Sequence, residues 1–242
     1  MAKCVDCAVH AGFMLSWKHT RNEILPYLEK AIQQYPGYQL TLVGHSLGGA
    51  IAALASLDFK ARGWNPKVTT FGEPRIGNEG LMKYFDKVFL NDDDIEENDM
   101  YRRVTHVDDP VPLLPLKEWG YKMHAGEVYI SKAPLSPAVT DLQHCEGAED
   151  PLCIAGADPV ARAAANHETE NWLRYANMTE LWNDGKTVLA IPSRFQIWQL
   201  FFAHRDYFWR LGLCIPGGDP SGWSRKYPQL DKEGMEEGFD MI

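Results

Sequence analysis

The sequence predicts an α/β protein built on a mostly parallel sheet with flanking helices, and three observations predict it. A short apolar run of strand length leads into the glycine-rich hexapeptide Gly44-His45-Ser46-Leu47-Gly48-Gly49. An Ala- and Leu-rich stretch of strong helix propensity follows, from Ala50 to Lys60. A second, β-branched run, Lys67-Val68-Thr69-Thr70-Phe71, comes next. Strand, helix and strand thus succeed one another within about thirty residues, as in a parallel βαβ unit.

Taken in order, Tyr27 to Tyr35 reads as the end of a helix, because Leu28 and Ile32 keep helical spacing before Pro36-Gly37 stops it. Tyr38 to Val43 is the strand that enters the hexapeptide. Asn91 to Asp99 is a solvated acidic loop without the glycine and distal Glu of an EF-hand, so calcium is disfavoured there. Tyr101 to Val107 reads as a third strand, ended by the breakers Asp108-Asp109-Pro110-Val111-Pro112. Ala125 to Ile130 is one more strand, and Asp158 to Trp182 is helix-like, ending near Asn183-Asp184-Gly185. Arg194 to Leu213 is the most aromatic stretch; core packing is the first reading, with an acyl-pocket wall or a lipid-facing surface as the alternative. No repeat or linker divides residues 1–242, so a single domain is expected.

Composition narrows the function classes. A 45% hydrophobic and 24% charged chain of 242 residues has the make-up of a packed globular protein, which excludes disorder of the whole. A net charge of −9 disfavours a nucleic-acid partner, since phosphate neutralisation needs clustered Lys and Arg. No apolar run approaches the roughly 18–20 residues of a transmembrane helix. The first residues lack the basic start and apolar middle of a secretory signal. The sequon Asn177-Met178-Thr179 is weak evidence for a secreted origin. Of five cysteines, Cys145 and Cys153 bracket a polar loop whose length suits a disulfide, and the odd number leaves one over. The Cys4-x-x-Cys7 pattern lacks the strand-to-helix setting of a redox motif.

Gly44-His45-Ser46-Leu47-Gly48 matches G-x-S-x-G. That pattern demands small residues two before and two after a serine on a strained strand-to-helix turn, so that its Oγ stands clear. The N–H of Leu47, at the helix start, is then placed to donate to an oxyanion. A serine hydroxyl needs a base, and the base a carboxylate. Asp108 and Asp109 both end the third strand, and position alone does not separate them. Of eight histidines, His10 and His19 precede the nucleophile, His45 is inside the elbow and His106 is within a strand. His124, His144, His167 and His204 remain as bases; His204 lies among Phe201, Phe202, Tyr207 and Phe208, where apolar neighbours would keep imidazole neutral.

At these residues the sequence resembles the class 3 lipase family, α/β-hydrolases that include fungal secreted triacylglycerol lipases and feruloyl esterases. Val9-His10-Ala11-Gly12-Phe13 resembles the family's V-H-x-G-F, Thr41 to Ala50 its elbow, and Phe71-Gly72-Glu73-Pro74-Arg75-Ile76-Gly77-Asn78 its F-G-x-P-R-x-G-N. In Val104 to Pro112 the resemblance selects Asp109, the Asp directly before Pro-Val-Pro, as the acid. In His204-Arg205-Asp206-Tyr207-Phe208 it selects His204 as the base. It implies an α/β-hydrolase that is N-terminally incomplete, without early strands, a lid helix and a first oxyanion donor, and a loss of one such donor costs roughly 10²–10³ in rate. It also implies a secreted parent protein, no metal or organic cofactor, and a lipid or other ester substrate met at a lipid–water interface. A feruloyl or short-chain carboxylesterase and a catalytically impaired lipid-surface binding protein are the alternatives.

Overall fold

The structure, a computed structural model, describes residues 4–90, 100–158 and 203–212. The glycine-rich hexapeptide sits where a strand hands over to a helix. Strand β1 (Thr41–His45) ends one residue before Ser46, and helix α2 (Leu47–Ala61) begins one residue after it. β1 runs parallel to β2 (Lys67–Phe71), with Thr41 opposite Lys67 and His45 opposite Phe71. The strand expected at Tyr38–Val43 is therefore displaced toward the elbow, because a strand extends only where a partner supplies the ladder. Tyr38 instead closes a turn, its N–H donating to the Tyr35 carbonyl at 3.1 Å.

Helix α1 (Ala11–Gln34) precedes β1 and continues through Pro26, whose ring removes one internal hydrogen bond. Only its last turns were legible from the sequence. His10 caps its start, Nδ1 accepting the Phe13 N–H at 3.3 Å. Its buried Trp17 meets Phe59 of α2 edge-on at 5.5 Å between centroids. Helix α3 (Glu79–Phe89) buries Leu81, Met82, Phe85 and Phe89, one helical face, and is capped by Asn78, which accepts the Leu81 N–H. These helices and β1–β2 share one apolar cluster with Phe59 and Val68 at its centre.

The sheet continues through β4 (Tyr101–His106), β6 (Glu127–Ile130) and β7 (Leu142–His144) in the order β1-β2-β4-β6-β7. The first four are parallel, and β7 is antiparallel to β6. β3 (Gly77–Asn78) and β5 (Tyr121–Lys122) form a separate antiparallel pair. The strand expected from Ala125 starts at Glu127, because Gly126 takes a φ of +79°, outside extended backbone. The strand expected to Val107 ends at His106, where the chain turns toward Asp109.

Between β4 and β6 the sheet buries a cross-strand ion pair, Arg103 Nη2 to Glu127 Oε2 at 2.9 Å. Glu127 also accepts from the Thr105 hydroxyl and from the Ile154 N–H, whereas Arg103 Nε and Nη1 have no partner among the described residues. Arg75 donates to the Leu113 and Pro115 carbonyls beside Asp158; burial lowers its pKa to about 10 against the opposing pull of Asp158. Disulfides join Cys145 to Cys153, as the loop length suggested, and Cys4 to Cys7.

Two compact units are distinguished, residues 1–209 and 210–242; of the second only 210–212 are described. The acidic loop, residues 159–182 of the helix expected at Asp158–Trp182, His167, the sequon, half of the aromatic stretch and Cys214 lie outside the described residues. Among the described residues no helix is long and apolar enough to cross a membrane.

Candidate active site

Ser46 sits at the C-terminal end of β1 with φ 57° and ψ −126°, one of two non-glycine residues with positive φ among those described. Such backbone costs an L-residue roughly 1–3 kcal/mol and persists only where its surroundings hold it. The hold comes from both sides: the Ser46 N–H donates to the Phe71 carbonyl at 2.9 Å, and the Ser46 carbonyl accepts from Ala50 in the first turn of α2. Gly44 is required sterically, since a Cβ there would run into the Gly48 carbonyl oxygen. The second glycine of the pattern is not equivalent. A Cβ at Gly48 would meet nothing within 4 Å among the described residues, whereas a Cβ at Gly49 would stand 3.4 Å from Glu73. Leu47, the first residue of α2, has an N–H with no acceptor inside the helix.

Asp109 lies in the turn after β4, where its N–H donates to the His106 carbonyl. Its carboxylate is sealed, with a side-chain exposure of 0%, and both oxygens face Nδ1 of His204 at 3.0 and 2.9 Å. Oδ1 also accepts the Val111 N–H at 2.9 Å, and Oδ2 accepts the Tyr207 hydroxyl. Burial, then the adjacent Asp109 charge, raise the Tyr207 pKa well above its ordinary value, so the phenol stays a donor. Asp108, equal to Asp109 in the sequence pattern, is only half-buried and makes no such contact.

His204 occupies a short 3-10 turn, Ala203–Arg205. Its carbonyl oxygen lies 2.6 Å from Nε2 of His45, and the two imidazoles face each other at 4.4 Å between centroids. His45 is the residue before Ser46, so the base and the elbow are joined through it. Among the described residues no hydrogen bond links the Ser46 hydroxyl to His204. Gly72, with φ +57°, lies at the foot of this group: a Cβ there would stand 2.6 Å from the Tyr207 hydroxyl, 2.8 Å from Asp109 Oδ2 and 2.9 Å from His204 Cε1.

The other histidines are placed elsewhere. His10 caps α1, His19 is exposed on it, and His144 is exposed on β7. His106 is buried with Nε2 at 3.0 Å from the Lys132 carbonyl, and His124 is buried against Glu73. Tyr207, Gly72 and His45 were not read as functional from the sequence. All three stand in motifs already singled out, and that was their only local signal.

The family model described as Lipase (class 3) matches residues 1–119, which contain the elbow and Asp109. A secreted mono- and diacylglycerol lipase 2 of Gibberella zeae is 54% identical over 228 residues, 92% of this chain and 54% of that protein. Residues 1–119 thus match the class 3 lipase family. Lipase A of Sodiomyces alcalophilus is 48% identical over 93% of this chain and 55% of its own length. Among solved structures, the Lip2 lipase of Yarrowia lipolytica superposes with a TM-score of 0.60 at 37% identity, covering 64% of this chain and 54% of that one. The fold is thus that of the α/β-hydrolases. The chain spans about half the length of the curated relatives it matches.

Proposed function

We propose that this chain carries the serine-hydrolase centre of a class 3 lipase, an enzyme that cleaves carboxylic esters of lipids through an acyl-enzyme. The observation that carries the reading is the sealed Asp109 carboxylate on Nδ1 of His204, next to a serine held at positive φ on a strand-to-helix elbow. A carboxylate fixed on Nδ1 leaves Nε2 as the basic nitrogen, and it stabilises the imidazolium once that nitrogen takes the Ser46 proton. Oγ of Ser46 then adds to the ester carbonyl carbon. The resulting oxyanion takes the Leu47 N–H, aided by the partial positive charge at the start of α2. Collapse breaks the C–O bond, His204 returns the proton to the departing alcohol, and water repeats the sequence to release the acid. The hydrogen bonds from Tyr207 and Val111 hold the Asp109 carboxylate in place against Nδ1 of His204. The scheme uses no metal or organic cofactor.

The names of the Gibberella relative and of the other lipases support acylglycerols as the ester class. The name of the first, together with two disulfides, supports an extracellular site of action. The test is active-site labelling with a long-chain phosphonate: wild-type chain labels at Ser46 and Ser46→Ala does not. Equal labelling of both, or of neither, overturns the reading. Comparing monoacyl- and diacylglycerols with methyl ferulate and p-nitrophenyl acetate then ranks the ester classes.

A further inference from the structure

We propose that His45, the residue preceding the nucleophile, is a positioning residue that clamps the main chain of His204 and so aims its ring at Ser46. The proposal rests on the esterase reading only for its kinetic consequence; the clamp itself is a contact between two side-chain-bearing segments 159 residues apart.

Four features of the geometry point to it. His45 Nε2 lies 2.6 Å from the His204 carbonyl oxygen, which can only accept, so the proton of that bond sits on Nε2 of His45. The bond fixes the peptide of His204 rather than its ring, and leaves both ring nitrogens of His204 to Asp109 and the serine. The ring of His45 also lies against the ring of His204 at 4.4 Å and meets that of Tyr207 edge-on at 5.9 Å. It therefore touches the base and the phenol that supports the acid. Finally, His45 closes β1 opposite Phe71, whose carbonyl holds the Ser46 N–H, so the clamp is anchored in the ladder that also fixes the elbow.

The short turn at Ala203–Arg205 needs such a tether. Its own main-chain bond runs from the Asp206 N–H to the Ala203 carbonyl and leaves the His204 carbonyl to an outside donor. An imidazole displaced by about 1 Å costs a reaction on the order of a hundredfold, so a bond setting the origin of the ring has kinetic weight. His45 is also kept uncharged. Burial lowers its pKa, His204 and Arg205 nearby act in the same direction, and the His204 carbonyl and Asp109 oppose them. A neutral donor suits this place, since a cation stacked on His204 would resist the imidazolium that forms during acylation.

The experiment compares wild type with His45→Ala, which removes the donor, and His45→Gln, whose amide nitrogen reaches a similar position and keeps it. The rate of Ser46 phosphonylation by a long-chain p-nitrophenyl phosphonate, in which Oγ bonds to phosphorus and p-nitrophenolate departs, is measured beside Tm and the histidine-ring NMR signals of His204. Expected is a phosphonylation rate on the order of ten- to a hundredfold lower in His45→Ala, with the dependence on phosphonate concentration unchanged. The His204 signals shift or split in the same variant, and His45→Gln returns both. Wild-type rate and unmoved His204 signals in His45→Ala overturn the clamp, as does a well-folded His45→Gln that restores neither. Should His45→Ala fold poorly, His45→Phe fills the space without a donor and replaces it. If wild type itself fails to label, the esterase reading falls, and the NMR comparison still decides the clamp.

Discussion

Two of the described histidines lie 2.9 Å from a buried carboxylate, His204 on Asp109 and His124 on Glu73, and they differ in what surrounds the rest of the ring. His124 presents Nδ1 to the Ala125 carbonyl and Nε2 to Glu73, so both nitrogens are occupied. Phe85 stacks on it at 4.1 Å and Tyr101 meets it edge-on at 4.9 Å, leaving its side chain 2% exposed. Among the described residues His204 is bonded through Nδ1 of its ring alone, and it keeps 12% of its side chain open beside the elbow. Glu73 has a full set of donors as well: Thr70 and Tyr101 hydroxyls at 2.6 and 2.7 Å in addition to His124. Burial pushes the Glu73 pKa up, but the His124 charge and these hydrogen bonds outweigh it and bring the value below the ordinary carboxylate range. A buried acid–imidazole pair is thus structural when every polar atom is spent, and available for chemistry when one nitrogen is left over next to a nucleophile.

Substitutions in the two pairs should separate along that line. Asp109→Asn is expected to lower the acylation rate by about 10⁴, through the wrong His204 tautomer, with a modest change in Tm. Glu73→Gln should do the reverse, costing about 3–5 kcal/mol in denaturant unfolding, because a buried pair loses one partner. A variant of Glu73 that matched Asp109→Asn in rate loss without losing stability would erase the distinction. Gly72→Ala comes next. It should cost the roughly 1–3 kcal/mol of a left-handed L-residue and slow acylation as well, since its Cβ displaces Tyr207 or Asp109. Gly120→Ala, also at positive φ but in open space, should cost stability alone.

Tyr207→Phe removes one hydrogen bond to the Asp109 charge, and a loss of about 1.5–3 kcal/mol is expected by urea unfolding. The smallest effect concerns pH. The His45 pKa is depressed in the folded chain, so the unfolded chain binds the proton first as pH falls below the ordinary value of 6.5. Stability from this group is therefore present above that value and is lost on acidification. A urea series from pH 7.5 to 5 should show wild type losing stability relative to His45→Gln, and parallel curves would contradict it.

How much of this was legible beforehand depended on whether a feature is local. β2 appears over the five residues expected, because alternation and β-branching act within the strand itself. The elbow was legible too, since the closeness of Gly44 to Gly48 is a matter of five consecutive residues. β1 was placed three residues early at its start, because its limits come from pairing with β2. α3 was not singled out although Leu81, Met82, Phe85 and Phe89 mark one face and Asn78 its cap; its signal was present and was passed over. Asp108 and Asp109 were indistinguishable without the family pattern, for the burial that separates them is created by residues 95 and more positions away. His124 stayed in contention as a base for the same reason: Phe85, Tyr101 and Glu73 close over it only in three dimensions.

The Cys145–Cys153 bridge reaches further than its position on the flank suggests. Cys153 is 2% exposed and packs with Leu113, Met123 and Tyr129, and the next residue, Ile154, sends its N–H to Glu127. Cutting the bridge would loosen that amide and weaken the acid that neutralises Arg103 inside the sheet, a guanidinium already short of acceptors. Thiol reductants would thus act at a distance, loosening the sheet's middle strands, which oxidising surroundings would keep tight.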